Sequence, residues 1–190
     1  VLGMDSWQIG RYRLSRQRPL IMGILNVTPD SFSDGGRYDT VAAAVAQAYQ
    51  LIEAGADILD IGGESTRPDA PSVPIAQELD RVLPVLQALQ TCGVPLSLDT
   101  QKTAVMAAAL AVGVDMINDV NAFQAAGAVE CVASTNVSLC VMHMQGNPAT
   151  MQQNPCYANG VVKQVRDFLA ARWQVLHAAG VNPARVWLDP

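Results

Sequence analysis

Side chains that could bind a polar ligand recur along this sequence at one kind of place, directly after a short apolar run. Most are carboxylates or carboxamides, and in order they are Asn26, Asp60, Asp99, Asn118, Met142, His143 and Asp189. An ionised carboxylate only accepts hydrogen bonds, whereas a carboxamide both donates and accepts them. If they face one opening, a ring of Asn and Asp suits a flat heterocycle that is rich in N–H donors and ring nitrogens. A single histidine such as His143 is more often structural than catalytic at such a place.

The apolar runs alternate with stretches of helical pattern. The predicted strands are Leu20–Leu25, Ile58–Ile61, Leu96–Leu98, Met116–Ile117, Leu139–Met142 and Val186–Leu188, and the predicted helices are 40–54, 75–91, 103–112, 125–134 and 158–179. Thr40 is the candidate N-cap of the first helix, and Pro84 predicts a kink or an early start in the second. Strands that alternate with helices in this way are typical of βαβ units and a parallel sheet.

The residues that follow the strands decide between two kinds of parallel sheet. A doubly wound sheet that binds a dinucleotide would have a Gly-x-Gly-x-x-Gly turn after its first strand, and this sequence has none there. In β/α barrels the active site lies at the carboxyl ends of the strands, where the polar residues fall. We therefore expect an α/β fold that forms about six of the eight βα units of a barrel. Residues 7–14 predict a short hairpin within the N-terminal segment 1–18.

Composition narrows the class of protein. The chain has 190 residues, of which 50% are hydrophobic and 15% charged, and this indicates one folded domain over residues 1–190. The net charge of −5 disfavours nucleic-acid binding. No apolar run approaches the roughly 20 residues that span a bilayer, and no signal-peptide pattern is evident, so the expected location is cytoplasmic. The four cysteines lack a zinc-binding spacing and are expected to be reduced.

Six motifs carry the most specific information. The longest is residues 22–36, MGILNVTPDSFSDGG, and the others are 60–68 (DIGGESTRP), 98–100 (LDT), 117–120 (INDV), 142–146 (MHMQG) and 188–190 (LDP). In content, order and spacing they resemble the dihydropteroate synthases of folate biosynthesis. The resemblance covers residues 20–190. It implies a pterin-binding (β/α)8 TIM barrel that is truncated at its C-terminus.

The resemblance assigns one side of the site to the first two loops. Asn26 would hold a Mg²⁺ ion that accompanies the substrate diphosphate, because Mg²⁺ prefers oxygen ligands and often binds through few protein groups. Arg67 would grip phosphate oxygens in a bidentate way. Thr66 and Arg67 are placed near both the diphosphate and p-aminobenzoate, and Ser65, Pro68 and Phe32 are placed beside p-aminobenzoate.

The resemblance assigns the pterin pocket to the later strand ends. Around the ring it places Asp99, Asn118 and Asp189 at the polar edge, Asp60 below them, and Val120 and Met142 at the apolar faces. A mismatched ligand would leave buried polar groups unpaired, at a cost of about 1–3 kcal/mol each. Among all these residues, those expected to act in catalysis are Asn26, Arg67 and Asp99.

The implied activity is a transferase reaction. It condenses 6-hydroxymethyl-7,8-dihydropterin diphosphate with p-aminobenzoate and gives 7,8-dihydropteroate and diphosphate. Mg²⁺ is the expected cofactor, and sulfonamides, which mimic p-aminobenzoate, are expected inhibitors. The family pattern continues beyond Pro190 into two more βα units with further basic residues, and the full-length protein is expected to be a homodimer.

Three other functions stay open. A pterin-binding module of a methyltransferase would share the barrel and the pocket, but residues 26–36 argue against it because it has no diphosphate loop. A noncatalytic partial barrel would serve in binding or assembly and would not turn over a substrate. An unrelated sugar-phosphate barrel enzyme would require all six motifs to be coincidental.

Overall fold

A parallel sheet of six strands forms the centre of the molecule. The computed structural model describes residues 6–28, 37–65, 72–146, 154–158 and 160–190. The strands are β1 (Ser6–Ile9) and β2 (Tyr12–Ser15), which form an antiparallel hairpin, and then β3 (Met22–Asn26), β4 (Ile58–Gly62), β5 (Leu96–Asp99), β6 (Met116–Asp119), β7 (Ser138–Met142) and β8 (Val186–Asp189). Strands β3 to β8 pair in sequence order without a reversal. This order confirms the parallel α/β prediction and excludes a doubly wound arrangement of these strands, which needs a switch point.

Helices connect the parallel strands. In the described part of the chain they are α1 (Arg37–Glu53), α2 (Ile75–Ala88), α3 (Thr103–Val112), α4 (Ala128–Ala133) and α5 (Val161–Ala178). The prediction that the first helix begins at an N-cap Thr40 is wrong, because α1 already begins at Arg37. Helices α4 and α5 begin later than predicted, since Gly127 and Gly160 have φ of +74° and +85° and interrupt the helical backbone. Pro84 lies inside α2.

One face of the sheet packs against the helices. Leu59 and Ile61 of β4 are fully buried in a large apolar cluster that also contains Leu86 of α2 and Leu176 of α5. Each such side chain contributes about 1.5–3 kcal/mol relative to an exposed one. Because neighbouring side chains of a strand point to opposite faces, the intervening Asp60 is directed to the other face of the sheet. The apolar alternation of the strands therefore turns the polar residues away from the helices.

The N-terminal hairpin covers the amino-terminal end of that other face. Ile9 is buried in a second apolar cluster with Ile58 and Met116. The carboxylate of Asp115 accepts hydrogen bonds from the backbone N–H of Arg11 (3.2 Å) and of Leu96 (3.1 Å). The hairpin is thus joined to both β5 and the start of β6.

A glycine at the tip of the hairpin makes this docking possible. Gly10 has φ of +51°, and a Cβ added to it would lie 2.6 Å from Asp115 Cα. We expect Gly10→Ala to lower the free energy of unfolding by about 2–4 kcal/mol, since a backbone clash adds to the unfavourable φ. Urea denaturation measures the change. Gly180→Ala is the matched control, because Gly180 has φ of +89° but no atom within 4 Å of the added Cβ; equal losses in the two variants would contradict the docking.

Two strands form the edges of the six-stranded sheet. Among the described strands, β3 and β8 each have one neighbour in the sheet, and Ile24 and Leu188 on them are about half exposed. All four cysteines are free, as expected. None of the helices in the described part of the chain combines the length and apolar character needed to cross a membrane.

Candidate functional site

A row of polar side chains crosses the carboxyl ends of the first parallel strands. Asn26 and Asp99 are the last residues of β3 and β5, and both pair in register with Gly62 of β4. Asp99 in turn pairs with Asn118 of β6. A Cβ added to Gly62 would lie 3.7 Å from Asn26 Oδ1 and 3.7 Å from Asp99 Oδ2. The glycine therefore leaves open space between a carboxamide and a carboxylate.

Asp60 lies one row deeper than its neighbours. It is the third residue of β4 and not its last, so its predicted place at the strand end is wrong by two residues. Its side chain is 4% exposed, and its Oδ2 accepts a hydrogen bond of 3.0 Å from the Asn118 amide. Burial raises the pKa of Asp60, and the neighbouring Ser97 hydroxyl and the Asn118 amide offset part of that increase. Asn118 is held in orientation by the carboxylate below it.

Asp99 lies in an unfavourable environment for a negative charge. Burial raises the pKa of its carboxyl well above the ordinary value, and the charges of Asp60, Asp119, Glu78 and Glu64 raise it further. Its Oδ1 is buried and has no hydrogen-bond partner in the described part of the chain. Buried acids with raised pKa values are concentrated at functional sites. A ligand that donates N–H groups would satisfy this oxygen and stabilise its ionised form.

The remaining described candidates lie around this row. Val120, directly after β6, is 7% exposed but belongs to neither apolar cluster. Met142 ends β7 and pairs in register with Asp189, the exposed last residue of β8. The backbone N–H of His143 donates to Asp189 O (2.8 Å), and its ring packs edge-on against Phe168. These contacts agree with a structural role for His143.

Several predicted site residues fall outside the described residues. They are Phe32 in the first loop and Thr66, Arg67 and Pro68 in the second. Ser65 is half-buried and is the last described residue before the second of these segments. The described residues therefore include the predicted pterin contacts and Asn26, whereas most of the predicted contacts to p-aminobenzoate lie outside them.

The sequence did not predict an ion-pair network that lies beside the row. Lys102 Nζ donates to Glu64 Oε2 (2.8 Å) and to Glu78 Oε2 (2.5 Å). The Thr100 hydroxyl donates to the other oxygen of Glu78 (2.6 Å), and Glu64 Oε1 accepts from the N–H of Val73 (2.7 Å). Although burial opposes it, hydrogen bonds from Lys102 and from the Val73 N–H hold the pKa of Glu64 below its ordinary value. The network joins the loops that follow β4 and β5.

A second buried acid was also missed. Asp119 follows Asn118 in the motif at 117–120, but strand alternation directs it to the opposite face, where it is fully buried. Burial raises its pKa to about 6, although the backbone N–H groups of Asn121 and Phe123 donate to it. The sequence showed an acid in the motif but did not show which face it occupies.

Comparison with known proteins identifies the family that has this arrangement. The sequence model of the pterin-binding enzyme family matches residues 22–190. The chain belongs to the pterin-binding enzyme family. It is 52% identical over 187 residues to the dihydropteroate synthase of Neisseria meningitidis serogroup B, covering 97% of this chain and 65% of that protein. This member of the family thus spans slightly less than two thirds of the length of that relative.

Solved structures agree with the family assignment. A Burkholderia cenocepacia dihydropteroate synthase complexed with 7,8-dihydropteroate is 51% identical to this chain, with a TM-score of 0.85. The match covers 98% of this chain and 63% of that protein. A Yersinia pestis dihydropteroate synthase in a sulfonamide drug complex is 43% identical, with a TM-score of 0.89. This match covers 97% of this chain and 67% of the Yersinia pestis protein. The sheet of six strands is therefore the corresponding part of a pterin-binding β/α barrel.

Proposed function

We propose that this chain is part of a dihydropteroate synthase, which joins 6-hydroxymethyl-7,8-dihydropterin diphosphate to p-aminobenzoate and releases diphosphate. The observation that carries the proposal is the row of polar side chains at the strand ends, which contains Asp99 and Asn118 and has Asp60 directly beneath it. It offers buried oxygen acceptors in a chain 51% identical to an enzyme whose structure contains the reaction product.

The pterin fits this row by its hydrogen-bonding pattern. The aminopyrimidinone edge carries N–H donors beside acceptors, so Asp99 would accept from the donors while Asn118 serves both kinds of group. Asp60 keeps the Asn118 amide in place through its 3.0 Å hydrogen bond. Val120 and Met142 would contact the ring faces, and Asp189 would complete the polar edge from β8.

The diphosphate would lie on the side of Asn26. Within the described residues no group of three or more His, Cys, Asp or Glu could form a protein cage for a metal, which fits an ion held mainly by phosphate oxygens and water. Asn26 is exposed and its Oδ1 faces the open space over Gly62, so it would serve as the protein ligand of Mg²⁺. The ion would neutralise charge on the diphosphate, and Arg67 and Thr66 would add directed hydrogen bonds to it.

The reaction is a substitution at the exocyclic methylene of the pterin. The bond from this carbon to the diphosphate oxygen breaks, the electron pair leaves with diphosphate, and the amine nitrogen of p-aminobenzoate forms the new bond and loses a proton. The dihydropterin can delocalise positive charge at the carbon, so positioning and electrostatics suffice and no covalent enzyme intermediate is needed. An ionised Asp99 beside Asp60 would favour the cationic ring.

The partners of the reaction follow from the same arrangement. The aminobenzoate would bind where the loops after β3 and β4 supply Phe32, Ser65 and Pro68. Sulfonamides would compete for that place, as the drug complex of the Yersinia pestis enzyme suggests. Dimerisation of the full-length enzyme and a cytoplasmic location belong to the same proposal.

The test combines binding with turnover. Calorimetry with 6-hydroxymethyl-7,8-dihydropterin diphosphate and Mg²⁺ should show binding, and chromatography after addition of p-aminobenzoate should show 7,8-dihydropteroate. Binding without product would favour the noncatalytic pterin-binding alternative. Absence of binding would contradict the proposed function.

Substitution of Asn26 tests the metal side separately. Asn26→Ala is expected to weaken Mg²⁺-dependent binding of the pterin diphosphate by about tenfold, since one oxygen ligand is lost. Binding of the dihydropterin without diphosphate should not change, because that ligand carries no phosphate. Titrations of both ligands with and without Mg²⁺ make the comparison, and an equal loss for both would remove Asn26 from the metal site.

A further inference from the structure

The loop after β6 contains an unusual backbone conformation. Ala122 and Phe123 are consecutive residues with φ of +56° each. This backbone conformation is sterically unfavourable for residues that have a Cβ. Both side chains are buried, Phe123 at 1% exposed. Residues in such conformations persist only where surrounding contacts hold them, and they are concentrated at functional sites.

Two charged side chains provide those contacts. The carboxylate of Asp119 accepts from the backbone N–H of Asn121 (2.8 Å) and of Phe123 (2.7 Å). From the other side, Arg172 of α5 donates through Nε to Ala122 O and through Nη2 to Phe123 O, each at 2.8 Å. The two guanidinium bonds fix the direction of both carbonyl groups, which a lysine could not do with the same geometry.

The strained loop continues directly from the polar row. Asn118 precedes Asp119, and Val120 follows it, so the backbone that carries both proposed pterin contacts ends in the two left-handed residues. Arg172 reaches this backbone from α5, the helix between β7 and β8. One guanidinium therefore connects the loop after β6 with the helix that joins Met142 to Asp189.

We infer that Arg172 is a positioning residue for the pterin pocket, which sets the places of Asn118 and Val120 by holding the carbonyl groups of Ala122 and Phe123. The inference rests on the proposed function, since it takes the dihydropterin as the ligand of that pocket. Arg172 acts through the loop, and its guanidinium is committed to the two carbonyl groups.

The inference is tested with the affinity for 6-hydroxymethyl-7,8-dihydropterin, measured by calorimetry. Arg172→Met keeps much of the apolar stem and removes both donors, and we expect affinity to fall by about tenfold. Arg172→Lys, which keeps the charge, should lose part of that affinity and serves if the Met variant does not fold. Arg166→Met is the matched control on the same helix, because the exposed Arg166 guanidinium donates to the neighbouring Asp167 and not to the loop after β6.

A backbone variant separates positioning from a general loss of structure. Glycine adopts φ of +56° without the steric penalty, so Ala122→Gly combined with Arg172→Met should recover part of the lost affinity. Wild-type affinity in both the Arg172→Met and Arg172→Lys variants would overturn the inference, as would a loss that Ala122→Gly does not relieve. If the wild-type protein itself bound no dihydropterin, the proposed function would fail first, which is a distinguishable result.

Discussion

Replacing Asp99 with asparagine is expected to weaken dihydropterin binding by about 100-fold. This is the effect of losing two hydrogen bonds to a charged group, each of which contributes roughly 1.5 kcal/mol. Asparagine retains one acceptor oxygen, but its amide would face the N–H groups of the ligand. Calorimetry with 6-hydroxymethyl-7,8-dihydropterin measures the loss. Asp167→Asn is the control, because Asp167 lies on α5 in exposed ion pairs with Lys163 and Arg166. Equal affinities of Asp99→Asn and wild type would exclude Asp99 from the pocket.

The same substitution should stabilise the protein without ligand. In the folded state the pKa of Asp99 is raised well above its ordinary value by burial and by neighbouring acids. A raised carboxyl pKa contributes stability that is present below the unfolded value near 4 and is lost as pH rises through the folded value. The asparagine side chain cannot ionise, so the gain in unfolding free energy of the Asp99→Asn variant should grow from acidic to alkaline pH. Affinity of the wild type for the dihydropterin should increase over the same range.

Local signals predicted the order and type of the elements well. Helix α3 spans Thr103–Val112 as predicted, because Lys102 before it is extended and Gly113 after it adopts φ of +101°. Strand β4 was likewise found from its apolar run, although it extends one residue further, to Gly62. Apolar period and glycine punctuation are properties of short segments, so a single sequence reveals them.

Contacts between distant segments could not be predicted in the same way. Glu78 lies in a helix whose pattern gives no reason to expect a fully buried acid, yet it bonds Thr100, 22 residues later. Arg172 was one more charge on a long helix, and its partners are 49 and 50 residues earlier. Such pairs depend on how helices pack on the sheet, whereas the position of Asn26, Asp99 and Asn118 at the carboxyl ends of strands could be predicted from the apolar runs before them.

Lys102 also has partners in distant segments, and among such residues we expect its substitution to lower the free energy of unfolding most. Lys102→Met is expected to lower the free energy of unfolding by about 3–5 kcal/mol, the usual effect of leaving buried charges without their partner. Among the contacts of the described residues, Glu78 would remain fully buried with the Thr100 hydroxyl, and Glu64 would keep the Val73 N–H. Urea denaturation at pH 7 measures the change. Lys163→Met is the matched control, since its pair with Asp167 is exposed to solvent and should contribute little to stability.

The pH dependence distinguishes loss of charge pairing from loss of packing. In the wild type the lowered pKa of Glu64 contributes stability above the unfolded value, and this stability disappears as pH falls through the folded value. Lys102→Met lacks the part of that contribution that comes from Lys102, so its deficit in unfolding free energy should be full at pH 7 and shrink in acid, where Glu64 becomes neutral. Adding Glu78→Gln should recover part of the deficit at pH 7, because glutamine keeps an acceptor for Thr100 without the charge. A deficit that is constant with pH and insensitive to Glu78→Gln would mean that Lys102 stabilises the two loops by packing alone.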